Sequence, residues 1–234
     1  MQAIILVGGF GTRLQSVVKD LPKPMAPIGD KPFLALLIES FRRRGVKEIM
    51  LSVHHMREAI QEYFGNNYNG MKISYAIEET PLGTGGAIVN SMNILQPKNP
   101  VLVVNGDTFL KIDLSRMYQI HKDKKAGISI ALRQVESCKR FGEVVVEDGI
   151  IKDFAYAGND GAGYINAGIY VINANFFKDY KLNKSFSFER DFLYQYTPKI
   201  KPLAYISEDY FIDIGIPEDY ERACNELPNI INAY

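Results

Sequence analysis

The first part of the chain alternates short apolar runs with segments that carry apolar residues at helical spacing. The apolar runs predict strands at Ala3–Val7, Glu48–Val53, Lys72–Ile77 and Val101–Val104, and the spacing predicts helices at Phe33–Arg44, Met56–Phe64 and Thr84–Leu95. Such alternation is typical of an α/β fold with a doubly wound, mostly parallel sheet. The strands are nearly all apolar, which fits burial on both faces of the sheet.

After about residue 126 the pattern changes to closely spaced strands, which predicts a smaller and more antiparallel part. The predicted strands are Gly127–Arg133, Glu143–Glu147, Ile150–Phe154, Ile165–Ile172 and Leu203–Ile206, and helices follow at Phe188–Tyr196 and from Pro217 to Leu227. The turn at Asp148-Gly149 predicts a hairpin. A chain of 234 residues fits one domain, 1–234, with halves 1–126 and 127–234.

Charge and cysteine content exclude several classes of partner. Lys plus Arg number 27 and Asp plus Glu also number 27, so no global field attracts nucleic acid or an anionic membrane. The two cysteines, Cys138 and Cys224, are far apart, no secretory signal precedes the first strand, and no apolar run has spanning length. We therefore expect a cytoplasmic protein with neither nucleic acid nor membrane as partner.

A glycine-rich turn follows the first strand directly. It has the sequence Gly8-Gly9-Phe10-Gly11-Thr12-Arg13-Leu14 and precedes Pro22-Lys23-Pro24-Met25. Glycine lets backbone N–H groups approach an anion closely, and the two cations neutralise its charge. The spacing matches neither the dinucleotide fingerprint nor the Walker loop. The turn predicts a polyphosphate site, with a plain strand-to-helix turn as the alternative.

Two aspartates are candidate metal ligands. Asp107 follows the strand Val101–Val104, and Asp213 lies among apolar neighbours before Gly215 and Pro217. A carboxylate beside a polyphosphate is useful if it holds Mg²⁺, and an isolated acid in an apolar segment needs a partner or a metal. A cap of the next element is the alternative role for Asp107. We expect the pair, one from each half, to bind Mg²⁺ at a cleft.

A second glycine loop follows the strand Lys72–Ile77 and contains Gly83, Gly85 and Gly86. Its glycines would let a flat base lie against the backbone. Guanine has adjacent imino and amino donors, and an ionised carboxylate accepts from both. Glu78 or Glu79 therefore suits guanine better than uracil or thymine, and a solvated surface acid is the alternative for either residue.

These motifs, in this order, resemble those of the sugar-phosphate nucleotidylyltransferases. The remaining shared motifs are Pro81-Leu82-Gly83-Thr84-Gly85-Gly86-Ala87, Asn105-Gly106-Asp107, Ile165-Asn166-Ala167-Gly168-Ile169-Tyr170 and Asp213-Ile214-Gly215-Ile216-Pro217-Glu218-Asp219-Tyr220. The resemblance implies a Rossmann-like nucleotide-binding half joined to a sugar-binding half. It also implies Mg²⁺-assisted reaction of a sugar 1-phosphate with a nucleoside triphosphate, which gives a nucleotide-sugar and pyrophosphate.

The resemblance assigns expected roles to individual residues. Arg13 would hold the departing pyrophosphate, Lys23 would contact the phosphates, and Asp107 and Asp213 would bind the metal. The expected nucleotide-binding residues are Leu6, Gly8, Gly9, Gly11, Thr12, Arg13, Lys23, Glu78, Gly83, Thr84 and Asp107, and the expected sugar-binding residues are Gly142, Glu143, Asn166, Gly168 and Glu189.

The chain departs from the family at one phosphate-binding position. Many relatives have Glu-Lys-Pro after the phenylalanine of the second-half hairpin, whereas Phe154 is followed here by Ala155-Tyr156-Ala157. The short form of the chain and the segment Ser185–Glu189 resemble bacterial heptose 1-phosphate guanylyltransferases most closely, which implies GTP and a heptose 1-phosphate as substrates.

Several alternatives remain open from the sequence. The same chemistry could act on mannose 1-phosphate, or a uridylyl or cytidylyl group could be transferred to another sugar. A glycosyltransferase and a catalytically silent nucleotide-binding subunit are alternatives from other classes, and a homo-oligomer is possible.

Overall fold

A computed structural model of the protein describes residues 1–9, 11, 14, 17–18, 21–155 and 160–232. The described strands are β1 (Gln2–Leu6), β2 (Pro27–Ile28), β3 (Lys31–Pro32), β4 (Glu48–Val53), β5 (Asn67–Tyr68), β6 (Met71–Ile77), β7 (Val101–Asn105), β8 (Thr108–Leu110), β9 (Ile128–Val135), β10 (Glu143–Glu147), β11 (Ile150–Ala155), β12 (Gly163–Ile172), β13 (Leu203–Ser207) and β14 (Phe211–Asp213). The helices are α1 (Phe33–Arg43), α2 (Arg57–Phe64), α3 (Gly83–Leu95), α4 (Leu114–Asp123), α5 (Tyr194–Ile200) and α6 (Pro217–Asn232). A 3₁₀ turn spans Lys23–Met25, and a π-helical segment spans Phe188–Leu193.

The chain divides into two compact units that do not follow its two sequence halves. The first unit contains Met1–Pro81, Val104–Phe109 and the chain from Ile212 onward, and the second contains Leu82–Val103 and Leu110–Phe211. The expected nucleotide-binding and sugar-binding halves remain a prediction, because the units are defined by packing and not by what they bind.

The first unit is built on parallel strands, as the alternation of strands and helices predicted. β4 pairs in parallel with β1 on one side and with β6 on the other, and β5 adds an antiparallel edge to β6. Ala3, Ile4 and Ile5 of β1 are fully buried. A strand in the middle of such a sheet is covered on both faces, which explains its unbroken apolar sequence.

The second unit is more antiparallel, also as predicted. β12 pairs antiparallel with β9, and β11 pairs antiparallel with β10 and β13. β13 pairs with β9 in parallel, a relationship that strand patterns alone did not predict. Asp148 and Gly149 have φ angles of 51° and 73°, as a two-residue hairpin between β10 and β11 requires.

The structure corrects several element boundaries. The helix predicted at Phe188–Tyr196 consists of the π-helical segment followed by α5, and the last helix continues through Pro228 to Asn232. The two-stranded pairings of β2 with β3 and of β8 with β14 were not predicted. Their strands have two or three residues each, too few for a periodic pattern to be visible.

Within the described ranges, no helix is both long enough and apolar enough to cross a membrane.

Candidate functional site

Lys23 connects the two predicted metal-binding aspartates in the first unit. Its Nζ lies 2.6 Å from Asp107 Oδ2 and 3.5 Å from Asp213 Oδ1. The side chains of Lys23 and Asp213 are 9% and 16% exposed, whereas that of Asp107 is 36% exposed. Both aspartates belong to the first unit, although they come from different halves of the sequence. The structure thus brings together three of the four residues predicted to be catalytic.

Local backbone structure holds each member of this group. Lys23 begins a 3₁₀ turn whose Pro24 and Met25 are buried. Asp213 ends β14 and accepts a hydrogen bond from the N–H of Gly215 at 2.7 Å. The N–H of Ile214 donates to the carbonyl of Asp107 at 3.0 Å, and this bond joins the segments that carry the two carboxylates.

Gly106 allows the segment that carries Asp107 to pack closely against the end of the first strand. The N–H of Gly106 donates to the carbonyl of Leu6 at 2.9 Å. A Cβ at Gly106 would lie 2.6 Å from that carbonyl oxygen and 2.5 Å from Val7 Cγ1. Only glycine allows this approach, which places Asp107 beside the start of the glycine-rich turn. No role was predicted for Gly106 from the sequence, although its place in the Asn105-Gly106-Asp107 motif was a usable signal.

The described glycines of the turn differ in their surroundings. A Cβ on Gly8 would lie 3.1 Å from Glu78 Oε1, and one on Gly11 would lie 2.7 Å from Lys23 Cβ. Gly11 also has a φ of 59°, which favours glycine. A Cβ on Gly9 would meet no described atom within 4 Å. Gly8 and Gly11 therefore serve the packing of the turn against Glu78 and Lys23, and Gly9 has no such role among the described residues.

The structure distinguishes Glu78 from Glu79. Glu78 is 6% exposed, and its Oε1 accepts a hydrogen bond from Ser52 Oγ at 3.0 Å. The side chain of Glu79 is 82% exposed and pairs loosely with Arg57 at 3.4 Å. Glu78 is thus the carboxylate that is buried and hydrogen-bonded beside Gly8, and Glu79 is a solvated surface acid. Base recognition by Glu78 stays a prediction.

Some predicted residues lie outside the part of the chain that the structure describes. These include Thr12 and Arg13 of the turn, together with Tyr156 and Ala157 of the position that differs from the Glu-Lys-Pro motif. Their roles remain predictions. Leu6, by contrast, lies within the described residues and is half-buried at the end of β1.

A hydrogen-bonded network in the second unit connects Asn166, Tyr170, Glu189 and Thr84. Asn166 Nδ2 donates to the Tyr170 hydroxyl at 2.8 Å, and that hydroxyl donates to Glu189 Oε1 at 3.2 Å. The Thr84 hydroxyl donates to Glu189 Oε2 at 2.8 Å. Tyr170 is fully buried, and burial together with the Glu189 carboxylate raises the pKa of its hydroxyl well above the usual value. No role was predicted for Tyr170 from the sequence, although this residue ends the Ile165–Tyr170 motif.

A bulge in β12 shapes this network. The register with β9 shifts between Asn166 and Tyr170, and Gly168 has a φ of 70°. The N–H of Gly168 donates to Asn166 Oδ1 at 3.0 Å. The Asn166 amide is therefore fixed from both ends, as a side chain that positions a ligand needs to be.

Gly142 and Glu143 lie at the start of the neighbouring strand β10. Gly142 has a φ of 80°, and a Cβ there would lie 2.8 Å from the carbonyl oxygen of Ala155. A Cβ on Gly163 would lie 3.2 Å from Glu143 Oε1. β10 meets β12 at the pair Val144 and Tyr164. The two residues are thus adjacent to the strand that carries Asn166, and their contact with a sugar stays a prediction.

The glycines of the second loop are explained by packing within the protein. The carbonyl oxygen of Phe186 lies 2.5 Å from the position of a Cβ on Gly83, and a Cβ on Gly85 or Gly86 would overlap the Phe186 ring or the Lys184 carbonyl. The space that we expected beside these glycines for a flat base is occupied by the segment that contains Lys184 and Phe186. Contacts of Gly83 and Thr84 with a nucleotide remain predictions.

The carboxylates of the first unit fit Mg²⁺ as a ligand set. Asp107 and Asp213 already share one cation, the ammonium of Lys23. Within the described residues, no group of three or more His, Cys, Asp or Glu side chains is arranged to hold a metal. Mg²⁺ characteristically binds through one or two carboxylates and takes its other ligands from water and phosphates.

Comparison with known proteins identifies the family of the chain. The chain matches the family described as Nucleotidyl transferase over residues 2–229. It is 44% identical over 231 residues to a D-glycero-alpha-D-manno-heptose 1-phosphate guanylyltransferase of Aneurinibacillus thermoaerophilus, which covers 99% of this chain and 100% of that protein. It is 48% identical over 221 residues to the Campylobacter jejuni subsp. jejuni protein of the same name, which covers 94% of this chain and 97% of the relative.

A solved structure shows the same fold. HddC from Yersinia pseudotuberculosis complexed with GMP-PN matches with a TM-score of 0.83 and 37% sequence identity, over 97% of this chain and 99% of that one. The mixed α/β architecture with parallel and antiparallel strands is therefore that of a known enzyme fold. With its sequence matched from residue 2 to residue 229, this chain belongs to the Nucleotidyl transferase family.

Proposed function

We propose that this chain transfers a guanylyl group from GTP to D-glycero-α-D-manno-heptose 1-phosphate, which gives GDP-heptose and pyrophosphate. Two relatives named D-glycero-alpha-D-manno-heptose 1-phosphate guanylyltransferase are 44% and 48% identical to the chain over nearly its whole length. The observation that carries the choice of base is the buried carboxylate of Glu78, which is held by Ser52 beside Gly8.

The charge and the fixed position of Glu78 support guanine as the base that it recognises. A carboxylate accepts from the imino and amino donors of guanine, whereas the carbonyl groups that flank the imino donor of uracil repel it. The carbonyl of Glu78 accepts from His54 Nδ1 at 2.7 Å, and its N–H donates to the carbonyl of Val53 at 2.9 Å. These two bonds hold the backbone of Glu78, and the Ser52 hydroxyl contacts its carboxylate at 3.0 Å. A carboxylate held at a fixed place can distinguish bases by their donors and acceptors.

The transfer itself needs alignment and charge neutralisation rather than a protein nucleophile. An anionic oxygen of the sugar phosphate attacks the α-phosphorus of GTP, a new P–O bond forms, and the bond to the bridging oxygen breaks as pyrophosphate leaves. Lys23 is the described cation closest to Asp107 and Asp213 and would neutralise phosphate oxygens as charge develops. Arg13 is proposed to hold the departing pyrophosphate.

Asp107 and Asp213 are proposed to hold Mg²⁺. When bound, Mg²⁺ supplies charge neutralisation for the phosphate oxygens. The two carboxylates would orient it from β14 and from the segment after β7.

The second-unit network is proposed to bind the sugar. Asn166 and Glu189 offer amide and carboxylate groups, and sugar hydroxyls both donate and accept hydrogen bonds. The bonds of Tyr170 and Thr84 to Glu189 would hold that carboxylate in one orientation. Gly142, Glu143 and Gly168 are proposed to complete the sugar contacts.

The proposal is tested with purified protein, Mg²⁺ and a panel of triphosphates and sugar phosphates, with pyrophosphate release as the readout. We expect GTP with heptose 1-phosphate to give the highest kcat/KM. Faster turnover of UTP or CTP would overturn the base assignment, and faster turnover of mannose 1-phosphate would overturn the sugar assignment. Nucleotide binding without pyrophosphate release from any pair would indicate a silent binding protein.

A further inference from the structure

Ser52 is a polar exception in a buried strand. β4 runs Glu48-Ile49-Met50-Leu51-Ser52-Val53, and its residues from Ile49 to Val53 are buried. Ser52 is 0% exposed and lies in register with Leu6 of β1 and Ala76 of β6. A buried hydroxyl costs free energy unless it is hydrogen-bonded, and alanine would fill the same place without that cost.

The hydroxyl of Ser52 is directed at Glu78. Ser52 Oγ donates to Glu78 Oε1 at 3.0 Å. The same oxygen faces Gly8, where a Cβ would approach it to 3.1 Å. Because the backbone of Glu78 is already held by Val53 and His54, the remaining freedom lies in its side-chain torsions. The Ser52 bond restricts these torsions.

We propose that Ser52 is a positioning residue that sets guanine selectivity by fixing the orientation of the Glu78 carboxylate. This inference rests on the proposed function, in which Glu78 reads the base. A hydrogen bond to an ionised carboxylate is stronger than one between neutral groups. It holds the plane of the carboxylate, and two parallel donors on a base are recognised well only when that plane matches theirs.

The inference predicts a selectivity effect that a merely structural serine would not have. Hypoxanthine, the base of ITP, keeps the imino donor of guanine and lacks its amino group. Preference for GTP over ITP therefore reports how well the carboxylate reaches the amino group. Losing the Ser52 hydroxyl should reduce this preference more than it reduces turnover at saturating GTP.

The experiment compares Ser52→Ala with wild-type protein, using heptose 1-phosphate and either GTP or ITP. We expect the ratio of kcat/KM for GTP to that for ITP to fall about tenfold or more. Glu78→Gln should lower the same ratio, and the double variant should lower it no further than Glu78→Gln alone. Equilibrium binding of GTP and ITP without sugar phosphate should show the same change.

Ser74→Ala is the matched control. Ser74 lies on the adjacent strand β6, and its hydroxyl donates to the carbonyl of Ile49 at 3.4 Å, with no part in holding Glu78. It should keep the wild-type ratio. If Ser52→Ala does not fold, Ser52→Cys replaces it, since a thiol keeps the size and is a weak donor.

The outcomes separate the two proposals. An unchanged GTP to ITP ratio in Ser52→Ala or Ser52→Cys, with GTP still the preferred substrate of the wild type, would overturn the role of Ser52 and leave the proposed function standing. A wild-type protein that turns over neither GTP nor ITP would overturn the proposed function itself.

Discussion

The ammonium of Lys23 lies 2.6 Å from Asp107 Oδ2, although the two residues are separated by 84 positions in the chain. Asp213, 190 positions from Lys23, contacts the same ammonium at 3.5 Å. One cation therefore balances two carboxylates that would otherwise repel each other. We therefore expect stability, metal binding and catalysis all to depend on the Lys23 side chain.

Lys23→Met should lose both activity and stability. We expect kcat to fall about 10²-fold to 10³-fold, as when one preorganised charge-stabilising group is removed. In buffer without divalent cations the free energy of unfolding should fall by about 1–2 kcal/mol, less than for a fully buried pair because Asp107 is partly exposed. Mg²⁺ should raise the melting temperature of the variant more than that of the wild type, because it can replace the missing charge.

Lys72→Met is the control for this prediction. Lys72 pairs with Glu48 at 2.6 Å, but its side chain is 69% exposed. We expect its loss to change stability by less than about 0.5 kcal/mol and to leave the response to Mg²⁺ unchanged. Equal stabilisation of Lys23→Met and wild type by Mg²⁺ would argue against metal binding at Asp107 and Asp213.

Gly106→Ala and Gly9→Ala should separate packing from ligand binding. A Cβ on Gly106 would press on Leu6 and Val7, so this variant should lose about 1–3 kcal/mol of stability. A Cβ on Gly9 would meet no atom of the described residues within 4 Å, so this variant should keep the wild-type melting temperature and bind GTP more weakly. Thermal unfolding and equilibrium GTP binding measure the two effects. Normal GTP binding by Gly9→Ala would exclude close approach of the nucleotide at this residue.

Tyr170→Phe should affect the sugar substrate selectively. The change removes the hydroxyl that joins Asn166 to Glu189 and should cost about 1 kcal/mol of stability. The KM for the sugar phosphate should rise roughly tenfold while the KM for GTP stays unchanged, because a hydrogen bond that orients the proposed sugar ligands is lost. Steady-state kinetics with each substrate varied in turn measures both constants.

Tyr118→Phe is the matched control for this prediction. Its hydroxyl donates to the carbonyl of Pro100 at 3.2 Å in the same unit, and its removal should leave both KM values unchanged. An equal rise of both KM values in Tyr170→Phe would point to general loss of structure.

His121 should make stability depend on pH. Its Nδ1 is 2.8 Å from Ser129 Oγ and its Nε2 is 3.0 Å from Asn173 Oδ1. Burial lowers the pKa of His121 below its usual value of 6.5. Well above pH 6.5 the imidazole is neutral in both the folded and the unfolded protein. As the pH falls below 6.5, the unfolded chain takes up a proton more readily than the folded protein, so the free energy of unfolding decreases.

His121→Gln cannot titrate and should lose less free energy of unfolding between about pH 7.5 and pH 5.5 than the wild type loses. Urea denaturation at each pH measures the difference. An equal loss in both proteins would assign the acid sensitivity to other groups.

Strand patterns were sufficient for the main architecture. The runs at Glu48–Val53 and Glu143–Glu147 have the bounds that the structure shows, because continuous or alternating apolar residues reflect burial directly. Which strands pair with each other could not be predicted as well. The parallel contact of β13 with β9 joins segments that are distant in sequence, and nothing in either segment specifies the other.

Residue type and motif order predicted roles for Lys23, Asp107, Asp213 and Glu78, and these roles stay predictions. The structure adds the contacts of Lys23 with both aspartates and the burial of Glu78. No role was predicted for Ser52, because a serine in an apolar strand has no distinguishing local pattern, or for Tyr170, although it ends the Ile165–Tyr170 motif. The roles that we propose for them rest on their hydrogen bonds to Glu78 and Glu189.

The sequence by itself determined the alternation of strands and helices, the hairpin at Asp148-Gly149 and the residue types from which a polyphosphate site can be built, since these depend on local backbone preference and burial. Only the tertiary structure decided that Lys23 is shared by Asp107 and Asp213, and that Glu78 rather than Glu79 is buried. The physical reason is that ion pairs and hydrogen bonds depend on distances of a few ångströms, and close packing at Gly8, Gly11 and Gly106 sets those distances.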